Sequence, residues 1–280
     1  MLIWPASRFV AGERMPEALA AVRRLNERGI LASLDLLGEN VSERAAAEAA
    51  SCQYVHLLRG IADAGVNANI SIKLTMLGLD IEPELAREHL LTILDAARET
   101  DNWVRIDMEG SPYTELTLEA FYDVFETKKN VGVVIQSMLR RSASDIERLV
   151  GAGARVRLVK GAYREPAPLA YQEKRVVNEQ FDRLAERLLE AGNAPAIATH
   201  DDARIAHTIA FTGERGIAPE RFEFQMLYGI REATQVALAE RGYRMRVYVP
   251  YGEEWFPYFY RRLRERKENV SFVLRNLLKR

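Results

Sequence analysis

Residues 155–166 read RVRLVKGAYREP, and three cations stand inside a run that otherwise has the pattern of a buried strand. Val156, Leu158 and Val159 supply the β-branched and aliphatic character, while Arg155, Arg157 and Lys160 are threaded through it. An isolated buried charge costs many kcal/mol, so cations in this place need an anionic or strongly dipolar partner. Gly161-Ala162 lets the backbone turn and be approached closely, and Tyr163 adds an aromatic face and a hydroxyl. From this segment alone, a solvated edge strand with Arg155 and Arg157 paired to carboxylates is an equal explanation. Arg157 and Lys160 have opposite parity along an ideal strand, so one of them must escape through twist, a bulge or the turn at Gly161.

A second basic group follows Tyr248-Val-Pro-Tyr-Gly, in the helical stretch WFPYFYRRLRER with Arg261, Arg262, Arg264 and Arg266. Successive helical residues point about 100° apart, so Arg261 and Arg262 share one small anion only at the boundary of their faces. Arginine suits a bidentate grip on a carboxylate, whereas Arg264 and Arg266 read as a solvated basic face. Other motifs carry less. His200-Asp201-Asp202 suggests metal, but His56, His89 and His207 all fall in expected helices, which makes a three-ligand zinc site hard to assemble. Lys73 or Lys160, at strand ends, could form a Schiff base as in a barrel aldolase. Gly151-Ala-Gly153 precedes a strand instead of following one, so it lacks the helix N-terminus that a diphosphate needs. No Walker motif and no GxSxG elbow occurs.

These residues must be positioned by regular elements, and the hydrophobic pattern supplies them. Strand-like runs at 30–36, 69–74, 103–108, 131–136, 155–160, 194–199, 221–226 and 244–249 alternate with amphipathic stretches at 42–64, 84–99, 115–128, 144–150, 169–191, 203–213, 231–241 and 253–266. Ser42, Pro83 and Thr114 are expected at helix starts. Eight strand-then-helix units predict an α/β fold, a TIM-type (β/α)8 barrel, with residues 14–28 as an extra N-terminal helix and 1–280 as one domain. Chemistry in such barrels gathers at the C-terminal strand ends. Those ends are mostly polar here: Asp35, Lys73, Asp107 with Glu109, Gln136, Lys160, Thr199 with His200, Gln225 and Tyr248. Together they predict a lined pocket.

Composition bounds the function classes. A chain of 280 residues, 48% of them hydrophobic, can bury a large core. The balance of 39 basic against 40 acidic residues gives no footprint for nucleic acid. Cys52 is the only cysteine, so no disulfide forms within the chain and a reducing compartment is expected. MLIWPASRF is too short and too soon followed by charges to be a signal peptide or a spanning helix, and a soluble, cytoplasmic protein is expected.

SIKLTMLGLD, VRIDMEGS, VVIQSMLRR, RLVKGAYREP, ATHD, FEFQMLYGIRE and YVPYGEEWFPYFYRRL resemble, in order and across nearly the whole chain, the signature segments of the proline dehydrogenase family. The resemblance implies a distorted (β/α)8 barrel that binds FAD without a Rossmann domain and oxidises L-proline to 1-pyrroline-5-carboxylate, passing electrons to a quinone. It implies that Lys73, Arg261 and Arg262 grip the proline carboxylate and that Tyr163 and Tyr248 close around the ring. Asp107 matches the aspartate beside the substrate, and Arg157 the arginine near flavin N5. Met108, Gln136, Lys160, Gly161, Ala162, Thr199 and His200 match positions that hold FAD. Unlike bifunctional relatives, the chain is expected to lack an aldehyde dehydrogenase half, so that a separate pyrroline-5-carboxylate dehydrogenase takes the product; the N-terminal helical arm of some relatives is expected to be short or missing.

The resemblance fits the residues in outline. Three cations can hold one carboxylate and discriminate against analogues that lack it. A buried Arg157 would stabilise negative charge on the reduced flavin and find its partner there. The implied chemistry is transfer of a hydride equivalent from proline C5 to flavin N5, with Asp107 orienting the amine. A quinone acceptor implies at least transient membrane contact, peripheral at the inner face of the membrane, although no amphipathic anchor stands out, since the helix from Trp255 is expected over the substrate.

Overall fold

Each apolar run becomes a strand, and a helix follows every one. The strands are β1 (Leu31–Leu36), β2 (Ala68–Ile72), β3 (Val104–Ile106), β4 (Val131–Gln136), β5 (Arg155–Val159), β6 (Ala196–Ala198), β7 (Glu223–Leu227) and β8 (Arg244–Tyr251). The helices are α1 (Met15–Asn26), α2 (Arg44–Ala64), α3 (Pro83–Glu99), α4 (Ser111–Phe125), α5 (Ser142–Ala152), α6 (Lys174–Ala191), α7 (Asp202–Glu214), α8 (Glu232–Glu240) and α9 (Trp255–Glu265). The computed structural model describes residues 6–265, with side chains through Tyr260. All neighbouring strands pair in parallel, and β8 closes on β1 in a register from Leu31↔Arg246 to Leu36↔Tyr251. The result is the expected closed (β/α)8 barrel with α1 preceding the first strand.

Several boundaries differ from the sequence expectation, each for a local reason. α4 starts at Ser111, where Pro112 sits in the first turn and needs no hydrogen-bonded N–H. Thr114 is therefore buried inside that turn and is not a cap. The cap position of α2 is Glu43, not Ser42, whereas Pro83 does open α3. α6 starts at Lys174, five residues later than expected. Pro166 and Pro168 lack the N–H groups that a helix there would use, and Ala170 instead bridges to Leu139.

The strands face two different environments. Outward residues such as Ala32, Leu34, Ile70, Ile72, Val104 and Ile106 are fully buried against the helices in one continuous apolar cluster. The inward face is polar, unlike the branched aliphatic filling usual in such barrels. Hydrogen bonds between strands that are not neighbours must cross the interior. Arg157 on β5 reaches Ser33 on β1 and Ser71 on β2, and Arg246 on β8 reaches Asn69 on β2. At the N-terminal end, Trp103 lies beneath the barrel with Arg105, Arg155 and Arg246 at 4.7, 5.2 and 5.6 Å from its ring. Glu223 accepts from Arg246 Nε at 2.9 and 3.1 Å. Gln225, expected on the catalytic rim, turns its amide back to donate to Glu223, since residues two apart on a strand share a face. Closure also removes the edge strand on which Arg155 and Arg157 could have been solvated: Arg157 is buried in the interior and Arg155 is half-buried beside Trp103.

Candidate active site

Arg157 points inward from the middle of β5 and meets Asp107, one residue past the end of β3. Its Nη1 donates to Asp107 Oδ1 at 2.7 Å, and its Nη2 to Ser71 Oγ at 3.1 Å and Ser33 Oγ at 3.4 Å. The hydroxyl of Tyr248 on β8 donates to the other carboxylate oxygen of Asp107 at 2.7 Å. Burial, then the charges of Asp107 and Asp35, push the Tyr248 pKa well up, so this hydroxyl stays a donor. The expected partner of the buried Arg157 charge was a flavin; its ion-pair partner in the fold is Asp107. Arg157 Nε, also buried, has no hydrogen-bond acceptor among the described residues.

Lys73, just past β2, forms a second buried pair. Its ammonium lies 3.0 and 3.3 Å from the two carboxylate oxygens of Asp35 on β1. Burial opposes the charge, but Asp35 and then Asp107 outweigh it and hold the Lys73 pKa above its ordinary value. A lysine kept protonated in this way is a poor Schiff-base nucleophile, which counts against an aldolase reading at Lys73. Lys160 is likewise committed, to Asp201 at 2.7 Å. Around Lys73 the turn is braced by Glu109, which accepts from the Thr75 N–H at 3.2 Å and the Thr75 hydroxyl at 2.6 Å. Gln136 Nε2 donates to the Glu109 carbonyl at 3.0 Å, tying β4 to the same place beside buried Met108.

The chain leaves β5 at Val159, so the parity conflict is resolved by the turn: Lys160 is already outside the ladder and swings toward β6. Gly161 has φ +117°, and a Cβ there would lie 2.3 Å from Met138 Sδ. Gly161→Ala is therefore expected to cost about 1–2 kcal/mol in chemical denaturation, because L residues avoid this region. A variant as stable as wild type would show that the turn relaxes freely. Ala162 is exposed, and Tyr163 packs against Met138, Leu139 and Ala170 and lies over Gly110. Beyond β6, Thr199 Oγ1 accepts the Asp201 N–H at 3.1 Å, and His200 Nε2 accepts the Leu227 N–H at 2.9 Å.

α9 packs against the N-terminal segment at the ends of β1 and β7. Tyr258 and Phe259 are buried with Phe9, Val10, Leu37 and Ile230, next to the segments that follow β1 and β7. Arg261, Arg262, Arg264 and Arg266 are carried by this helix or follow it, and their side chains lie outside the described residues. A cavity of about 1010 Å³ opens between the β1–α2 loop, α2 and the start of α9, with Leu36, Lys73, Met76 and Pro257 in its walls. Of the strand-end residues expected to act together, Lys73 is the one that lines it. No helix among the described residues is long and apolar enough to cross a membrane.

A sequence profile of the proline dehydrogenase family matches residues 18–275. The chain belongs to the proline dehydrogenase family. It is 44% identical over 274 residues to proline dehydrogenase 1 of Bacillus subtilis (strain 168), covering 98% of this chain and 91% of that one. Identity to the proline dehydrogenase of Deinococcus radiodurans is 39% over 279 residues, covering 98% and 90% of the two chains. Among solved structures, proline utilization A from Bdellovibrio bacteriovorus, inactivated by N-propargylglycine, superposes with a TM-score of 0.86 at 29% identity. That alignment covers 92% of this chain and 32% of the larger protein, so the chain spans about a third of it. As a proline dehydrogenase, the chain is an enzyme that oxidises proline, the first step of proline catabolism.

Within that family frame, the fold brings Arg157, Asp107 and Tyr248 into direct contact and sets Lys73 beside them through Asp35. Asp35, Glu109 and Asp201 had no individual role assigned from the sequence. Asp35 and Glu109 had been visible only as polar strand ends. Their partners are 38 and 34 residues away in sequence, and no local spacing connects them.

Proposed function

We propose that the chain holds one non-covalent FAD at the ends of β4, β5 and β6 and oxidises L-proline to 1-pyrroline-5-carboxylate beside the ends of β2, β3 and β8. The observation that carries this reading is Arg157: a buried guanidinium, fixed by three acceptors, with an Nε that has none among the described residues. A donor set of Lys160, Gln136, Thr199 and His200, with a turn at Gly161 that permits close backbone approach, fits a large polar cofactor with acceptor atoms. Met108 and Ala162 complete the wall. When bound, FAD supplies the two-electron acceptor that the protein side chains lack.

The chain's own residues do the rest. Lys73, with Arg261 and Arg262, holds the substrate carboxylate. Asp107 presents the lone pairs left on its two oxygens to the substrate amine and fixes its direction. Tyr248 and Tyr163 flank the ring, and α9 over the rim keeps water from it. Electrons leave to a quinone, through transient contact with a membrane surface, and the cyclic imine product passes to a pyrroline-5-carboxylate dehydrogenase.

The visible absorbance of the purified chain tests the cofactor. A yellow protein whose FAD is released intact by heat or acid, at one per chain, is expected. A chain that never binds FAD, or flavin that stays attached to denatured protein, contradicts the proposal. Borohydride trapping of substrate on a colourless protein would favour the aldolase alternative.

The carboxylate grip has its own expected outcome. Arg261→Met or Arg262→Met should raise the proline KM about ten- to a hundredfold, the worth of a charge-assisted bidentate contact. Arg264→Met and Arg266→Met should change it little, since exposed charges contribute well under about 1 kcal/mol. Tetrahydrofuran-2-carboxylate, which keeps the carboxylate and lacks the amine, should compete with proline. Equal inhibition constants in wild type and Arg261→Met, at matched FAD content, would remove Arg261 from this role.

A further inference from the structure

Arg231 precedes α8 with φ 58° and ψ 41°, in the left-handed region that glycine occupies freely and other L residues occupy under strain. Two residues earlier, Gly229 has φ 70°, and a Cβ there would fall 1.7 Å from the Arg8 carbonyl oxygen, so sterics alone explain the glycine. Backbone sterics give no such reason for an arginine at 231. Its side chain does. Nη1 donates to the His200 carbonyl at 2.6 Å, and Nη2 pairs with Asp202. The guanidinium therefore spans from the β7–α8 turn to the β6–α7 turn. It grips that turn on both sides of Asp201, which caps α7 through the Ala203 N–H at 3.0 Å and holds Lys160.

The β6–α7 turn carries Thr199 and His200. His200 is thus held twice from the same neighbour: its carbonyl by Arg231 and its Nε2 by the Leu227 N–H. Asp202 is largely exposed, and an ion pair there contributes little by itself. The bond to the His200 carbonyl is part-buried and fixes the main chain that aims the imidazole.

We infer that Arg231 is a positioning residue for the cofactor-binding turn at Thr199–Asp202, and that its left-handed strain persists because the guanidinium holds this turn in one arrangement. Strained backbone of this kind survives when surrounding contacts over-determine it, and a turn ordered in advance loses less freedom when a ligand arrives. The inference deepens the FAD proposal and rests on it.

Dilution of the holoenzyme, followed by flavin fluorescence, gives the FAD dissociation constant for wild type, Arg231→Gly, Arg231→Asn and Arg231→Lys. Gly and Asn both accept the left-handed backbone, so either variant removes the side chain without adding strain. If the strain were incidental, both would bind FAD at least as tightly as wild type. The clamp predicts the opposite, an increase of about tenfold in each. Lys, which keeps the charge and can reach one carbonyl, should recover most of that loss. Wild-type affinity in the Gly and Asn variants overturns the inference and leaves the FAD proposal standing, as does a Lys variant no better than Gly. A wild type that binds no FAD overturns both.

Discussion

Arg157→Met is expected to lower turnover by roughly 10²–10³-fold, the usual cost of removing a pre-placed charge that stabilises charge developing in a transition state. Methionine keeps the apolar stem and removes every donor. The loss has two parts: Asp107 keeps Tyr248 but loses its ion pair, and the cation assigned to the reduced cofactor disappears. The flavin midpoint potential should fall in the variant, because a nearby cation favours the anionic reduced form. Turnover and potential are to be compared at matched FAD content. An unchanged potential in a variant that still binds FAD would leave Arg157 with only the task of holding Asp107.

Glu223→Gln is expected to destabilise the fold by about 3–5 kcal/mol at pH 7, the range seen when one partner of a buried ion pair is removed. Glu223 is the carboxylate in contact with Arg246, and Arg105 and Arg155 stand round the same tryptophan ring. Burial, followed by the charge of Arg157, pushes the Arg105 pKa well down, and the charge of Glu223 opposes that shift. The urea midpoint of the two proteins measures the loss. Its pH dependence follows from the direction of the Glu223 shift. Burial alone raises this pKa, but Arg246 by charge and hydrogen bond, with Gln225 and Arg105, carries it below the ordinary 4.5. The folded state therefore binds the proton less readily than the unfolded one. The stabilisation is fully present above about pH 4.5 and is lost as pH falls through the lower folded value. The gap between wild type and Glu223→Gln should close in acid. A gap of equal size at pH 7 and pH 3 would mean that Glu223 acts by shape and not by charge.

The sequence by itself determined the architecture and the family. Eight apolar runs of strand length separated by amphipathic stretches point to a parallel sheet, because each parallel pair needs a long crossover that a helix supplies, and eight such units in this length suit a barrel. It also raised the need for a partner to Arg157, since a cation between Val156 and Leu158 requires one if the strand is buried on both faces, but the segment alone fitted a solvated edge strand equally well. It did not say which partner. Asp107 is 50 residues away, Ser33 is 124, and Tyr248 stands 141 residues from Asp107. Closing the sheet brings these onto one interior axis, and the stagger between strands decides which polar residues share a layer. Gln225, polar and near a strand end like the others, instead donates to Glu223 two residues back on the same face of β7. Lys73 meets Asp35 because β1 and β2 are neighbours whose ends coincide, and Lys160 leaves the ladder for Asp201 at a glycine turn whose direction depends on Met138. Arg231 is the extreme case: nothing in its neighbours marks it, and its left-handed backbone has a reason only once the turns after β6 and β7 lie side by side. Local pattern specifies which residues are buried and in what period, whereas contacts across a closed barrel depend on the closure itself.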